Sequence, residues 1–312
     1  MKILVYGAGV IGCIYAARLY TAGCNVTLLA RGKRYAILKQ QGLILRNMLT
    51  GKETISRPPL VQQLRSDDLF DLIIVTVRLN QIDGIIPVLK KNKSTPSVMF
   101  MMNYPDSVKQ IVQQLSPKHV LLGFPGVGGM YRDNSIDYIQ VDQQRTTIGK
   151  RKEDNSILPE KIRALLENAG FKTAVSEDMQ AWLKIHAVFM TCACASIIKE
   201  NGSSIQLSKN KKGVKRMILS IREGFTACSK LGIPVIPRNL KTIFMTMPLW
   251  FSVWYWQKAM RGRTGKLAIA PHAHAAMDEM QIIAEKVLKI VHSSSFPTPV
   301  LDELLTSFIN SK

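Results

Sequence analysis

The sequence predicts an α/β domain built on a doubly wound parallel sheet over residues 1–175, followed by an all-helical domain over 176–312. Three observations carry this. Short apolar, β-favouring runs alternate with helical stretches through the first half, the pattern of right-handed βαβ units. A glycine-rich turn, Gly7 to Gly12, joins the first run to the first helix. Beyond Val175 the strand pattern stops and helical periodicity continues to the end. A length of 312 residues suits about two domains of ~100–200 residues each.

Taken in order, Lys2 to Tyr6 (KILVY) runs straight into Gly7-Ala8-Gly9, as a buried parallel strand does. Ile11 to Ala22 reads as a helix with Ile11, Ile14, Tyr15 and Leu19 on one face. Asn25 to Leu29 is a second strand, Ala30-Arg31-Gly32 the turn after it, and Arg34 to Gln41 a further helix. Leu69 to Val77, with its LIIVTV run, predicts a strand in mid-sheet, and Ser97 to Met102 and Val120 to Gly123 repeat the pattern. Gly126, Gly128 and Gly129 mark a flexible stretch. Ile136 to Val141 and Arg145 to Ile148 then read as an antiparallel hairpin at the sheet edge. Lys150 to Asn155 is a charged turn, and the helix after it runs through Ala169 to a stop at Gly170. Lys172 to Val175 is the last strand. Ser176 followed by Glu177 and Asp178 signals a helix start with acids in its first turn.

The hydrophobic fraction of 46% and mean hydropathy of +0.05 fit a globular chain rather than a disordered one. The longest apolar window, Phe244 to Trp256, contains Pro248 and is shorter than the ~20 residues of a spanning helix. No signal-peptide pattern precedes the first strand, so the expectation is a cytoplasmic protein without a membrane span. Five cysteines give no disulfide framework, and Cys192-x-Cys194 reads as small core residues rather than half a metal site. The net charge of +20 suits anionic cofactors and substrates. Its cations are scattered, not interleaved with aromatics on one stripe, so no nucleic-acid partner is expected. The Pro248-Leu249-Trp250-Phe251 run has three readings: core, the face of a homodimer, or the lid of an apolar pocket.

Gly7-Ala8-Gly9-Val10-Ile11-Gly12 fits G-x-G-x-x-G between a strand and a helix, the dinucleotide fingerprint of a Rossmann-type domain. NAD sites usually end the second strand with an acid that binds the ribose 2′-hydroxyl. Here that position holds Ala30-Arg31-Gly32-Lys33-Arg34. With no acid present, Arg31 first and Arg34 second are candidates for a 2′-phosphate, which makes NADP(H) the expected cofactor.

The fingerprint, the Ala-Arg-Gly turn, Val75-Thr76-Val77-Arg78 and Trp182-Leu183-Lys184 together resemble the ketopantoate reductase family. The resemblance runs nearly end to end and is thinner beyond Asn201. It implies a Rossmann domain joined to a helical one, an active site in the cleft between them, and NADPH-dependent reduction of 2-dehydropantoate to pantoate. It makes Lys184 the general acid and aligns Arg78 with a usual lysine near the cofactor. Asn103 aligns with a nicotinamide- or substrate-positioning asparagine, and Glu279 with a substrate-orienting glutamate. Alternatives stay open: Arg78 as a surface cation, Asn103 as a turn residue, and Glu279 facing water with Asp278 and Glu285.

This chain departs from the family at Val188 and Cys192, where asparagines are usual one and two turns after the lysine. If both line the cleft, activity with 2-dehydropantoate is expected to be weak. His272 and His274 are the candidate substitutes for the lost polar contacts. Two rival functions stand beside the main one: a family reductase acting on another small oxo acid or ketone, and a non-catalytic NADP-sensing protein.

Overall fold

A computed structural model of the chain describes residues 1–141, 144–149, 156–270, 273 and 277–311, the side chain of Ala268 excepted. The chain divides into two compact units, Met1–Met102 with Ser107–Met179, and Asn103–Asp106 with Gln180–Lys312.

The first unit is built on an eight-stranded sheet. Its centre is the parallel set β5 (Leu60–Val61), β2 (Asn25–Leu29), β1 (Lys2–Tyr6), β6 (Leu72–Val75), β7 (Ser97–Met101) and β8 (His119–Phe124). β11 (Thr146–Gly149) adds antiparallel to β8, and β12 (Thr173–Ser176) closes the edge parallel to β11. Every residue of β6 and β7 is buried, which is why these runs are apolar but for Ser97 at the start of β7. Helices α1 (Val10–Thr21), α2 (Gly32–Gln41), α3 (Ile82–Lys91), α4 (Lys109–Leu115) and α5 (Leu158–Asn168) make the connections. Gly170, at φ +78°, follows α5 as expected.

The expected hairpin of 136–141 with 145–148 does not form. β10 (Ser135–Ile139) pairs instead with β9 (Gly128–Arg132), in the very stretch read as flexible, while β11 joins the main sheet. The true turn is at Asp133, a non-glycine residue at φ +52°. Gly129 is extended rather than loose: a Cβ there would stand 2.5 Å from the Asp137 carbonyl oxygen. β3 (Leu43–Asn47) and β4 (Glu53–Ser56), not foreseen, complete a second sheet ordered β4-β3-β10-β9. Buried Asp137 holds it together, paired with Arg46 and Arg132 at 2.7 Å each. Residues 150 and 151–155, read as a charged turn, lie outside the described residues.

The described residues of the second unit form no strand, and its α-helices are α6 (Met179–Lys199), α7 (Ser204–Lys209), α8 (Lys211–Lys230), α9 (Arg238–Lys241), α10 (Leu249–Arg261), α11 (Met277–His292) and α12 (Pro299–Ile309). The helix-start signal at Ser176 fails, because Ser176 is the last residue of β12 and α6 begins at Met179 with no acid in its first turn. Among the described residues α6, not the Phe244 window, is the one helix long and apolar enough to cross a membrane. Its apolar window is 89% buried inside the protein. Cys192 and Cys194 lie in this core.

Candidate cofactor and active site

The fingerprint glycines meet separate demands. Gly7 takes φ +117°, a backbone that side chains rarely adopt. A Cβ on Gly12 would stand 1.9 Å from the Gly7 carbonyl oxygen, so α1 reaches the end of β1 only without a side chain there. A Cβ on Gly9 would meet nothing within 4 Å, leaving an open side where a pyrophosphate can approach the backbone. α1 follows Gly9 as its N-cap, with no side-chain cap and no acid in its first turn. The first N–H groups, including those of Val10 and Ile11, therefore have no helical partner, and the helix dipole favours an anion beside them.

Two residues outside the fingerprint brace this loop. The Thr76 hydroxyl, at the end of β6, lies 3.1 Å from the Gly7 carbonyl and 3.3 Å from that of Tyr6. Tyr131 on β9 donates to the Ala8 carbonyl at 2.8 Å. Sequence reasoning missed both braces. The one signal for Thr76 is a hydroxyl closing an apolar strand. For Tyr131 there is none, since its strand was not foreseen.

Arg31 is exposed after β2 at the start of α2. Burial raises the Tyr6 phenol above its usual range while the Arg31 cation opposes the rise, so this charge acts on the end of β1. Arg34 turns elsewhere. Its guanidinium lies 4.6 Å from the centroid of the Tyr131 ring and donates to Cys13 Sγ at 3.6 Å. Arg78 is exposed at the start of a short 3-10 turn, Leu79–Gln81, its N–H donating to Gln81 Oε1 at 3.2 Å. A free helix N-terminus, an open glycine and the Arg31 cation beyond β2 fit a dinucleotide.

In the second unit, Lys184 is half-buried on α6, a helix otherwise buried around it. Its charge reaches Cys228 of α8: burial pushes that thiol up to about 11, against the pull of the Lys184 ammonium. Asn103 belongs to the same unit. Gln180 of α6 donates to the Asp106 carbonyl at 3.4 Å, and Lys286 of α11 pairs with the Asp106 carboxylate, which fixes the segment. Asn103 is 7% exposed, and its Oδ1 is buried with no hydrogen-bond partner among the described residues. A buried acceptor left without a donor costs about 1–3 kcal/mol. Glu279 is buried on the same face of α11 as Met280 and Ile283, whereas Asp278 and Glu285 are less enclosed.

Val188 and Cys192 depart from expectation. Both are fully buried, and a Cβ on Gly224 of α8 would stand 2.5 Å from Val188 Cγ1. The absent side chain of Gly224 lets the two helices close, and Val188 fills the seam. Near Cys192 lies Glu223, which accepts the Leu301 N–H at 2.8 Å at the start of α12 and is held above the usual carboxylate range by burial. His272 and His274 lie outside the described residues.

Residues 3–153 match the protein-family model described as Ketopantoate reductase PanE/ApbA. The dinucleotide unit belongs to the ketopantoate reductase family. That family is one of NAD(P)-dependent oxidoreductases. The chain is 24% identical over 187 residues to 2-dehydropantoate 2-reductase of Pyrococcus horikoshii; the match spans 58% of this chain and 58% of that enzyme's length. A second relative, the uncharacterized oxidoreductase YkpB of Bacillus subtilis, is 24% identical over 306 residues, 94% of this chain and 97% of its own length. The 2-dehydropantoate 2-reductase of Geobacter metallireducens superposes with a TM-score of 0.78 at 12% identity, over 99% of each chain. D-mandelate dehydrogenase bound to NADH and anilino(oxo)acetate does so with a TM-score of 0.74 at 16% identity, over 100% of each.

Proposed function

We propose that the chain uses NADPH to reduce the keto group of a small 2-oxo acid, with 2-dehydropantoate the first candidate and pantoate the product. The observation that carries the reading is buried Asn103, its Oδ1 without a partner among the described residues, in the same helical unit as half-buried Lys184.

The cofactor's part is to supply the hydride when bound. The backbone around Gly7, Ala8, Gly9 and Gly12 and the first N–H groups of α1 hold its pyrophosphate, and Arg31 takes the 2′-phosphate. Arg34 backs the loop, and Arg78 adds positive charge near the cofactor or the substrate carboxylate. Asn103 accepts from the nicotinamide amide or the substrate. Lys184 gives its Nζ proton to the alkoxide oxygen that forms at the reduced carbon, and its charge stabilises that oxygen beforehand. Glu279 orients the substrate hydroxyl or the lysine.

The substrate is the finer question. With Val188 and Cys192 sealed in a helix seam, the loss of two amides does not by itself predict poor handling of a hydroxylated oxo acid. The full-length likeness to a D-mandelate dehydrogenase keeps a bulkier or aromatic 2-oxo acid as a second reading. The deciding experiment is NADPH oxidation with 2-dehydropantoate, 2-oxoisovalerate and phenylglyoxylate. A kcat/KM for 2-dehydropantoate about a hundredfold above the others, roughly 2.7 kcal/mol, supports pantoate formation. Preference for phenylglyoxylate supports the second reading, and no turnover of any oxo acid overturns both.

A further inference from the structure

The chain between Glu223 and Asp278 contains no Asp or Glu, seven Lys and Arg, and three of the four tryptophans. The fold sorts these residues by face. On α10, Ser252, Val253, Trp256 and Met260 are buried. Trp256 stacks on Phe244 at 5.3 Å and packs on Phe189 of α6, so that side of the helix has its partner. The other side is turned outward: Trp250 is 71% exposed, Trp254 48% and Tyr255 43%, with Met245 of the preceding turn at 36%.

These rings form one continuous patch. Trp250 meets Phe251 edge-on at 5.9 Å, and Phe251 meets Trp254 at 5.5 Å. At helical spacing Trp250, Trp254, Lys258 and Arg261 share a stripe, aromatic in its first half and basic in its second. The Lys258 ammonium lies 4.2 Å from the centroid of the Trp254 ring, where the two halves join. Arg238, Lys241, Arg263 and Lys266 are all exposed around it.

We propose that this face of α10 docks on an anionic lipid surface. Indole and phenol rings prefer the level of the headgroups, with an apolar body inside and a polar edge in water, and flanking cations meet the anionic phosphates. A second copy of the chain is a worse match. A two-fold contact through this face would set Lys258, Arg261 and Arg263 against the same residues with no acid in the segment to answer them. A nucleic acid would satisfy the cations but leave Met245 and Phe251 without an apolar partner.

The test uses the full-length chain. Its sedimentation with phosphatidylcholine vesicles is compared with that on mixed phosphatidylcholine–phosphatidylglycerol vesicles. Binding to the anionic vesicles should be at least about tenfold tighter and should weaken as salt is raised. Tryptophan emission should shift to the blue and be quenched by brominated lipid, a readout that needs no variant. Trp250→Ser with Trp254→Ser, and separately Lys258→Glu with Arg261→Glu, should each lower the affinity about tenfold or more. Melting temperature and NADPH affinity should stay unchanged. Equal binding to neutral vesicles, or wild-type binding by the tryptophan variant, overturns the proposal. So does a wild-type dimer that the tryptophan variant dissociates, which would make the face a contact between copies. Duplex DNA retention that depends on the same tryptophans, without vesicle binding, overturns it as well.

Discussion

The two units present their chemistry in opposite ways. In the dinucleotide unit the backbone makes the site: Gly7, Gly9 and Gly12 are each set by a φ angle, an open approach or a collision within a six-residue turn. In the helical unit side chains make it. On the proposed reading its members, Lys184, Asn103 and Glu279, come from distant points of the chain. A backbone site tolerates change around it and fails at single atoms. A side-chain site depends on which residues its neighbours leave room for.

The sharpest way to break this contrast is at Lys184. Lys184→Ala should lower kcat by about two to four decades, the worth of a positioned proton donor, with NADPH affinity little changed. Titration of the cofactor beside steady-state kinetics checks both halves. Loss of NADPH binding with turnover per bound cofactor intact would show that the helical unit serves the cofactor instead.

Arg31 tests the first unit. Wild type should prefer NADPH to NADH by about ten- to a thousandfold, roughly 1.4–4 kcal/mol, and Arg31→Ala should erase most of that preference. Equal wild-type affinities for the two nucleotides, measured by fluorescence titration, would remove the 2′-phosphate role from this residue.

Val188→Asn addresses the seam. An amide placed against Gly224 has no partner there, and the variant should lose about 1–3 kcal/mol of stability in thermal or urea unfolding. Unchanged stability in this variant, with a raised kcat/KM for 2-dehydropantoate, would show that the position faces substrate after all.

The smallest effect is expected at Tyr131. Tyr131→Phe deletes one hydrogen bond to the Ala8 carbonyl and should weaken NADPH binding by about 0.5–1.5 kcal/mol, severalfold in Kd. The ring and its contact with Arg34 are kept, so a calorimetric titration isolates the hydroxyl. No change in Kd would mean that Thr76 alone holds the loop.

The contrast also explains what could be read beforehand. The central strands and the phosphate loop were legible because each is local: an apolar run, a glycine spacing, a missing acid. The helical second unit was legible from periodicity. The second sheet was not, because β3 and β4 are short and mixed in character, with Glu53, Thr54 and Ile55 exposed, and β10 finds its partner in a glycine-rich run. Ser176 misled because a residue that resembles a helix cap also ends a strand well when its backbone pairs with β11. Val188 and Cys192 share a helical face with Lys184, and that placement was right. What no spacing reveals is that Gly224, on another helix, brings α8 down on that face.

The bond from Tyr131 to the fingerprint joins residues 123 positions apart. On the ribosome, the six-residue phosphate loop emerges with the first strand and helix, long before β9 exists. A nascent or truncated chain ending before Gly128 would therefore display every residue of the fingerprint and lack the strand that braces it. The severalfold of nucleotide affinity expected from Tyr131 should be added only once β9 has joined the loop.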